Sequence, residues 1–341
     1  MKKIFALLCS FALLAGLISG CSSQKNAASG GNAAPGTAGD AEKLSIVCTI
    51  FPEYDWVRQI LGDAADHAEI TMLLDNGVDL HSYQPSVDDI IKISTCDLFI
   101  YVGGESDAWV TDALKEATNK DMVVINLLDV LGNTVKEEEV KEGMEAEAQE
   151  QTDAVSNENQ EEPEYDEHVW LSLKNAETLC ACIADQLSAI DAAYADTYKA
   201  NGDAYIQQLS ALDQEYQAAA DGGKFHTLVF GDRFPFRYLV DDYGLDYYAA
   251  FVGCSAESEA SFETIAFLAN KVDELGLTSV LTIEGAQHKI AQTIVENTAE
   301  KNQVILTMDS MQSVTSRDVD AGETYLSIMQ SNLDVLKTAL N

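Results

Sequence analysis

The chain has 341 residues and a formal net charge of −37, from 57 aspartates and glutamates against 20 lysines and arginines. So acidic a molecule is repelled by nucleic-acid phosphates and by an anionic bilayer surface, which argues against binding to either and favours cationic partners and high solubility. The length beyond the first forty residues, about three hundred, is enough for two ordinary domains with their own cores.

Lys2 and Lys3 give a positive start, Ile4 to Ile18 form an apolar run, and Ser19-Gly20 are small. This is the order of a secretory signal over residues 1–20. The run is shorter than the ~20 apolar residues of a membrane span. It stops at Leu17-Ile18-Ser19-Gly20-Cys21, which resembles a bacterial lipobox, where cleavage precedes the cysteine and its sulfur carries a diacylglycerol. The resemblance implies lipidation at Cys21 and an extracytoplasmic protein held to the cell membrane by that lipid alone. Residues 21–42, rich in Ser, Gly, Ala and Asn, have the composition of a flexible tether.

Apolar, β-branched runs follow at Leu44 to Ile50, Ala68 to Leu73, Asp97 to Val102 and Met122 to Asn126, with helical stretches between them such as Tyr54 to Leu61 and Val87 to Ser94. The alternation predicts a parallel α/β sheet. It returns at His226 to Phe230, Leu245 to Phe251, Ser279 to Ile283 and Val304 to Thr307. Between the two sets, residues 176–220 read as helical. Leu179, Ile183, Leu187 and Ile190 fall on one face, and a second helix from about Ala193 to Ala220 is ~40 Å long at 1.5 Å per residue. The expected fold is α/β: two (β/α) lobes, residues 43–175 and 221–341, each with a roughly four-stranded parallel sheet. One long rigid helix joins them, which predicts little lobe motion.

Thr134 to Glu167 carries fourteen acids against two lysines, a net −12, with few apolar residues and no histidine. It reads as a disordered, solvated insertion. Of seven cysteines, Cys9 leaves with the signal and Cys21 takes the lipid. The five that remain, Cys48, Cys96, Cys180, Cys182 and Cys254, are an odd number and read as small buried hydrophobes, with one disulfide open to an exported protein. Cys180 and Cys182 project roughly 200° apart on a helix and do not chelate one ion together.

Two of the five histidines stand out. His81 lies in Val78-Asp79-Leu80-His81-Ser82-Tyr83-Gln84-Pro85, just after the second predicted strand; His168 lies in Asp166-Glu167-His168-Val169-Trp170, where the acidic stretch ends. Loops past the carboxyl ends of parallel strands are where α/β sheets bind ligands, and neutral imidazole is a common ligand of zinc and other first-row metals.

These segments carry a resemblance. Residues 78–89, VDLHSYQPSVDD, are similar to the DPHSYEPSPRD segment of the zinc- and manganese-binding receptors of ABC importers, the cluster A-I family. DEHVWLSLKNA is similar to that family's DPHVWLDPKNA, YVGGESDAWV to its YNGLGLEPWL, and the tail from Asp309 to its C-terminal region. The resemblance implies one metal between two lobes, held by four side chains, and as partners the importer's membrane permease and its ATPase, with the receptor a monomer and not an enzyme. The first two ligands map to His81 and His168, and the fourth to Asp309. The third maps to Arg233, which has no lone pair to give; its neighbour Asp232 is the expected donor, with Glu284 and His288 as alternatives. Glu257, Glu259 or Glu284 would then neutralise Arg233. Two imidazoles and two carboxylates suit zinc or manganese, and zinc is preferred because the insertion sits where zinc receptors of the family carry a charged loop. The competing classes are a zinc hydrolase, which usually keeps an open metal position beside a general base, and a surface adhesin. The chain has no HExxH, and nothing in it identifies an adhesin's partner.

Overall fold

The computed structural model describes residues 43–145, 164–255, 259–285 and 288–341. The signal, Cys21 and the tether lie outside the described residues, as do residues 146–163 of the acidic insertion. Among the described residues no helix is long and apolar enough to cross a membrane.

The first lobe runs β1 (Leu44–Cys48), α1 (Phe51–Leu61), β2 (Ala68–Met72), α2 (Val87–Thr95), β3 (Leu98–Tyr101), α3 (Val110–Lys115), β4 (Val123–Asn126) and α4 (Leu127–Leu131). Two helices follow, α5 (Leu173–Ile190) and α6 (Ala195–Gly222). The second lobe is β5 (Thr227–Phe234), α7 (Arg237–Asp242), β6 (Asp246–Val252), α8 (Phe262–Leu275), β7 (Ser279–Ile283), α9 (Lys289–Asn297), β8 (Val304–Met308), α10 (Ser316–Asp320) and α11 (Tyr325–Ala339). Each lobe holds a four-stranded parallel sheet, in the orders β2-β1-β3-β4 and β6-β5-β7-β8. The expected α/β architecture is therefore present. Strands such as β7, buried at all five positions, are covered on both faces, which is why they read as unbroken apolar runs. In both sheets the strand order reverses beside the lobe's first strand, and the loops that part there form a crevice at the carboxyl ends.

The 28 residues of α6 make a rod of roughly 42 Å at 1.5 Å per residue. It packs on α1 and α5 at one side and on α11 at another. One continuous apolar core crosses the lobes, from Ile46 and Trp56 through Trp170, Tyr216 and Phe230 to Tyr325 and Leu333. Polar bonds bind it further. The Tyr325 amide donates to Asp55 at 3.0 Å, the Tyr325 hydroxyl to the Trp170 carbonyl at 2.7 Å, and the Trp170 indole to the Ser310 carbonyl at 2.9 Å. A smaller cluster, including Val229, Leu268, Val280 and Ile294, belongs to the second lobe alone.

At the head of α1, Glu53 is fully buried. Its Oε2 accepts the Thr49 amide at 2.8 Å and the Ile50 amide at 3.3 Å, and its carboxyl accepts the Thr49 hydroxyl. Burial, then the neighbouring Asp107 carboxyl, pushes Glu53 up to about 8. A carboxyl whose pKa is raised on folding contributes stability that is full below its unfolded value and is lost as pH rises through its folded value. The wild-type melting temperature is therefore expected to fall between pH 5 and pH 8 by more than that of Glu53→Gln, whose amide oxygen still accepts both backbone bonds. Equal slopes in thermal melts of the two proteins would refute the assignment.

Candidate metal centre

Beyond β2 the chain reaches Asp79, whose Oδ1 accepts the His81 amide at 3.0 Å and caps a single 3-10 turn, Leu80–Ser82. Leu80 is buried in the core and fixes the turn, so His81 stands at the crevice, its side chain mostly buried. Its Nδ1 lies 2.7 Å from Ser106 Oγ and 3.5 Å from Glu167 Oε2. Ser106 follows β3, and its amide donates to Glu167 at 2.9 Å. The Ser106 oxygen and the Glu167 carboxyl are the acceptors that face the His81 Nδ1–H. Gly104 makes this possible: its φ is +80°, and a Cβ there would lie 2.3 Å from Glu167 Oε1.

His168 is fully buried. Asp166 Oδ1 accepts both its amide, at 2.9 Å, and its Nδ1–H, at 3.0 Å. With each Nδ1 proton committed to an acceptor, each Nε2 carries a lone pair, and the two Nε2 atoms lie 3.2 Å apart. Burial, then the His168 ring, pushes His81 down to about 3, so His81 is a neutral imidazole. Two facing lone pairs at this distance call for an electrophile between them. Zinc–nitrogen bonds of 2.0–2.1 Å at a tetrahedral angle would set two nitrogens roughly 3.3 Å apart.

A third side chain with a ligand atom comes from the second lobe. β6 ends at Val252, and a turn closed by the Ser255 amide on the Val252 carbonyl carries Gly253 and Cys254. A Cβ on Gly253 would lie 2.9 Å from His168 Cε1, so glycine lets this turn abut the imidazole. His81, His168 and Cys254 each bring one ligand atom into a group whose members all lie within 4.8 Å of one another. Burial, followed by the nearby Asp166, Glu138 and Glu167 carboxyls, pushes the Cys254 thiol up.

Of the other expected ligands, neither Asp232 nor Asp309 belongs to this group. Asp232 sits where β5 shifts register between Phe230 and Arg233. Its Oδ1 accepts the Arg233 amide at 3.0 Å, and its Oδ2 reaches the Ile283 amide at 3.4 Å, beyond the point where β5 and β7 part. The carboxylate therefore stands in for missing sheet bonds. Asp309 Oδ1 accepts the Met311 amide at 2.7 Å, and burial, then Glu284, pushes Asp309 up to about 7. Glu284 is likewise engaged, with the Ser310 amide and hydroxyl and the Gln312 amide, and His288 precedes α9 outside the group. The partner of Arg233 is Asp79, in an ion pair across the crevice; Glu259 and Glu284 are not paired with it, and Glu257 lies outside the described residues. Burial would raise Asp79, but the guanidinium outweighs it and holds the carboxylate below its usual range. Sequence reasoning missed Cys254, one of five free thiols in the described chain. Its signal was position: it lies just past the carboxyl end of β6.

The insertion differs from expectation at its base. Glu138 donates its amide to the Glu164 carbonyl, and Asp166 to the Lys136 carbonyl, both at 2.9 Å, in a short antiparallel ladder. Arg237 pairs with Glu139, and Lys141 with Asp246, so residues 134–145 are tied to the second lobe. Glu138 Oε1 also accepts the Cys254 amide at 3.4 Å. Few apolar side chains are needed here, because backbone bonds and ion pairs hold the segment.

With this geometry in view, the chain can be compared with known proteins. Residues 46–339 match the family model ZnuA, described as "Zinc-uptake complex component A periplasmic". The chain belongs to this family. It is 32% identical over 338 residues to the zinc-binding lipoprotein AdcA of Streptococcus pneumoniae (serotype 4), covering 99% of this chain and 61% of that protein. It is 29% identical over 315 residues to the high-affinity zinc uptake system protein ZnuA of Bacillus subtilis, covering 92% and 93%. The crystal structure of the Zn(II)-bound ZnuA-like domain of S. pneumoniae AdcA superposes with a TM-score of 0.67 at 29% identity, over 87% of this chain and 99% of that one. The chain thus spans about three fifths of the AdcA relative's length.

The ladder makes a prediction about the insertion. Replacing residues 146–163 with a short Gly/Ser linker is expected to leave tight zinc binding unchanged. Removing 134–164 takes away Lys136 and Glu138, loosens Asp166 and the Cys254 turn, and is expected to weaken zinc roughly 10–100-fold, the usual cost of losing an outer partner. Calorimetric titration of both deletions decides it; equal affinity in the two would deny the ladder a part in the site.

Proposed function

We propose that this protein is the extracytoplasmic receptor of a zinc importer, which captures a zinc ion in the crevice between its lobes and delivers it to a membrane permease driven by an ATPase. The observation that carries this reading is the convergence of two neutral imidazoles, Nε2 to Nε2 at 3.2 Å, with each opposite ring nitrogen held by an acceptor. Such an arrangement spends burial and hydrogen bonds on orienting lone pairs, which is what a metal needs and a packing histidine does not. The zinc named in the descriptions of the matched family and of the two relatives supports zinc as the cargo in preference to manganese. An uptake component favours carriage over catalysis, and hence over the hydrolase reading. The lipid on Cys21 would keep a monomeric receptor beside its permease, through the tether of residues 21–42.

The test is zinc titration of His81→Ala and His168→Ala. Each is expected to lose more than ~100-fold in affinity, since removing a donor costs more than removing an outer partner. Circular dichroism should stay native. His168→Ala should melt a few degrees lower, because it strands the buried Asp166 carboxylate. One equivalent bound at wild-type affinity by either variant would remove that histidine from the site.

A further inference from the structure

We infer that Cys254 is the third metal donor, so that the centre presents two imidazole nitrogens and one thiolate sulfur and selects zinc over manganese through the sulfur. The inference rests on the receptor reading above and specifies its chemistry.

Three independent features meet at Cys254. Its sulfur joins the two histidine nitrogens in one group with all members within 4.8 Å, as one small ion requires. The preceding Gly253 has no room for a side chain against His168, so the turn is pressed onto the imidazole by the shape of the chain. The Cys254 amide is held by Glu138 from the base of the insertion, which fixes the turn from its other side. The carboxylates expected from sequence are engaged elsewhere: Asp232 bonds backbone amides at the register shift, and Asp309 accepts the Met311 amide.

The donor set fixes the preference. Thiolate is a soft ligand that suits zinc, whereas manganese is better matched to carboxylate, carbonyl and water oxygens. When the ion binds, the sulfur lone pair forms the S–metal bond and the thiol proton passes to solvent; the metal keeps its oxidation state. Two neutral imidazoles and one thiolate leave the divalent ion with one net positive charge. The Asp166 and Glu167 carboxyls stand behind the two rings, 3.0 and 3.5 Å from their Nδ1 atoms, and offset part of that charge through the imidazoles.

Cobalt(II) provides the test, because thiolate ligation produces an intense near-ultraviolet sulfur-to-metal charge-transfer band that nitrogen and oxygen donors do not. The purified full chain, reduced, is titrated with cobalt and then competed with zinc and with manganese. The expected result is one equivalent of cobalt with the band present in wild type and in Cys182→Ser, and absent in Cys254→Ser. Zinc affinity of Cys254→Ser should fall by more than ~100-fold, while manganese affinity changes far less, so the ratio between the two metals collapses. One equivalent of cobalt in the wild type without the band overturns the proposal and needs no variant. A folded Cys254→Ser with wild-type zinc affinity overturns it as well. Wild type that takes up neither cobalt nor zinc overturns this proposal together with the receptor reading, which separates the two failures.

Discussion

Asp166 Oδ1 accepts both the amide and the Nδ1–H of His168, and the centre is organised around that pair of bonds. They fix the ring's tautomer and plane in a place with no water to correct a mistake, since His168 is fully buried. Asp166 is itself set from two directions. Its amide donates to the Lys136 carbonyl in the ladder, and its carbonyl accepts the Tyr238 hydroxyl at 2.8 Å from the second lobe. The Tyr238 oxygen in turn accepts the Lys136 amide at 3.0 Å. The acidic stretch is therefore continuous with the scaffold at its base, and the same base reaches Cys254 through Glu138.

Around this point the lobes are joined by apolar packing and by directed polar bonds. Trp170, two residues after His168, donates to Ser310 and accepts from Tyr325, so the chain bearing the buried imidazole is bound to the second lobe on both counts. Trp56 packs edge-on against Tyr325, with ring centroids 5.3 Å apart, and Asp55 beside it accepts the Tyr325 amide. Large aromatic side chains that share one core across two lobes resist separation, because opening would expose them to water.

The fold was legible because parallel strands are buried on both faces. Runs such as Ser279 to Ile283 carry their assignment in composition, and the observed β7 has those same bounds. Helix limits shifted by a few residues, as at α5, which begins at Leu173 because Ser172 caps it by accepting the Asn175 amide. That His81 and His168 would stand together was legible by position and by resemblance. The place of Asp232 was not legible, because composition does not reveal a register shift; only the paired strands show that its carboxylate bonds backbone amides. The insertion's base was illegible for a related reason. A ladder between residues 136–138 and 164–166 is made of backbone bonds, which leave no periodicity in side chains. Cys254 was hidden by the usual habits of its residue type, since most cysteines here are packing groups.

The welding of Trp170 to the second lobe has a kinetic consequence. Of the three converging side chains, His168 belongs to the frame, whereas His81 sits on a single 3-10 turn and Cys254 on a turn closed by the Ser255 amide. With the frame locked, any opening of the crevice falls to these two short turns rather than to the lobes. Local loop opening of that kind runs on nanoseconds to microseconds, faster than the microsecond-to-millisecond rotation of whole domains. The buried imidazole, held by the frame, would then be the last of the three side chains to move.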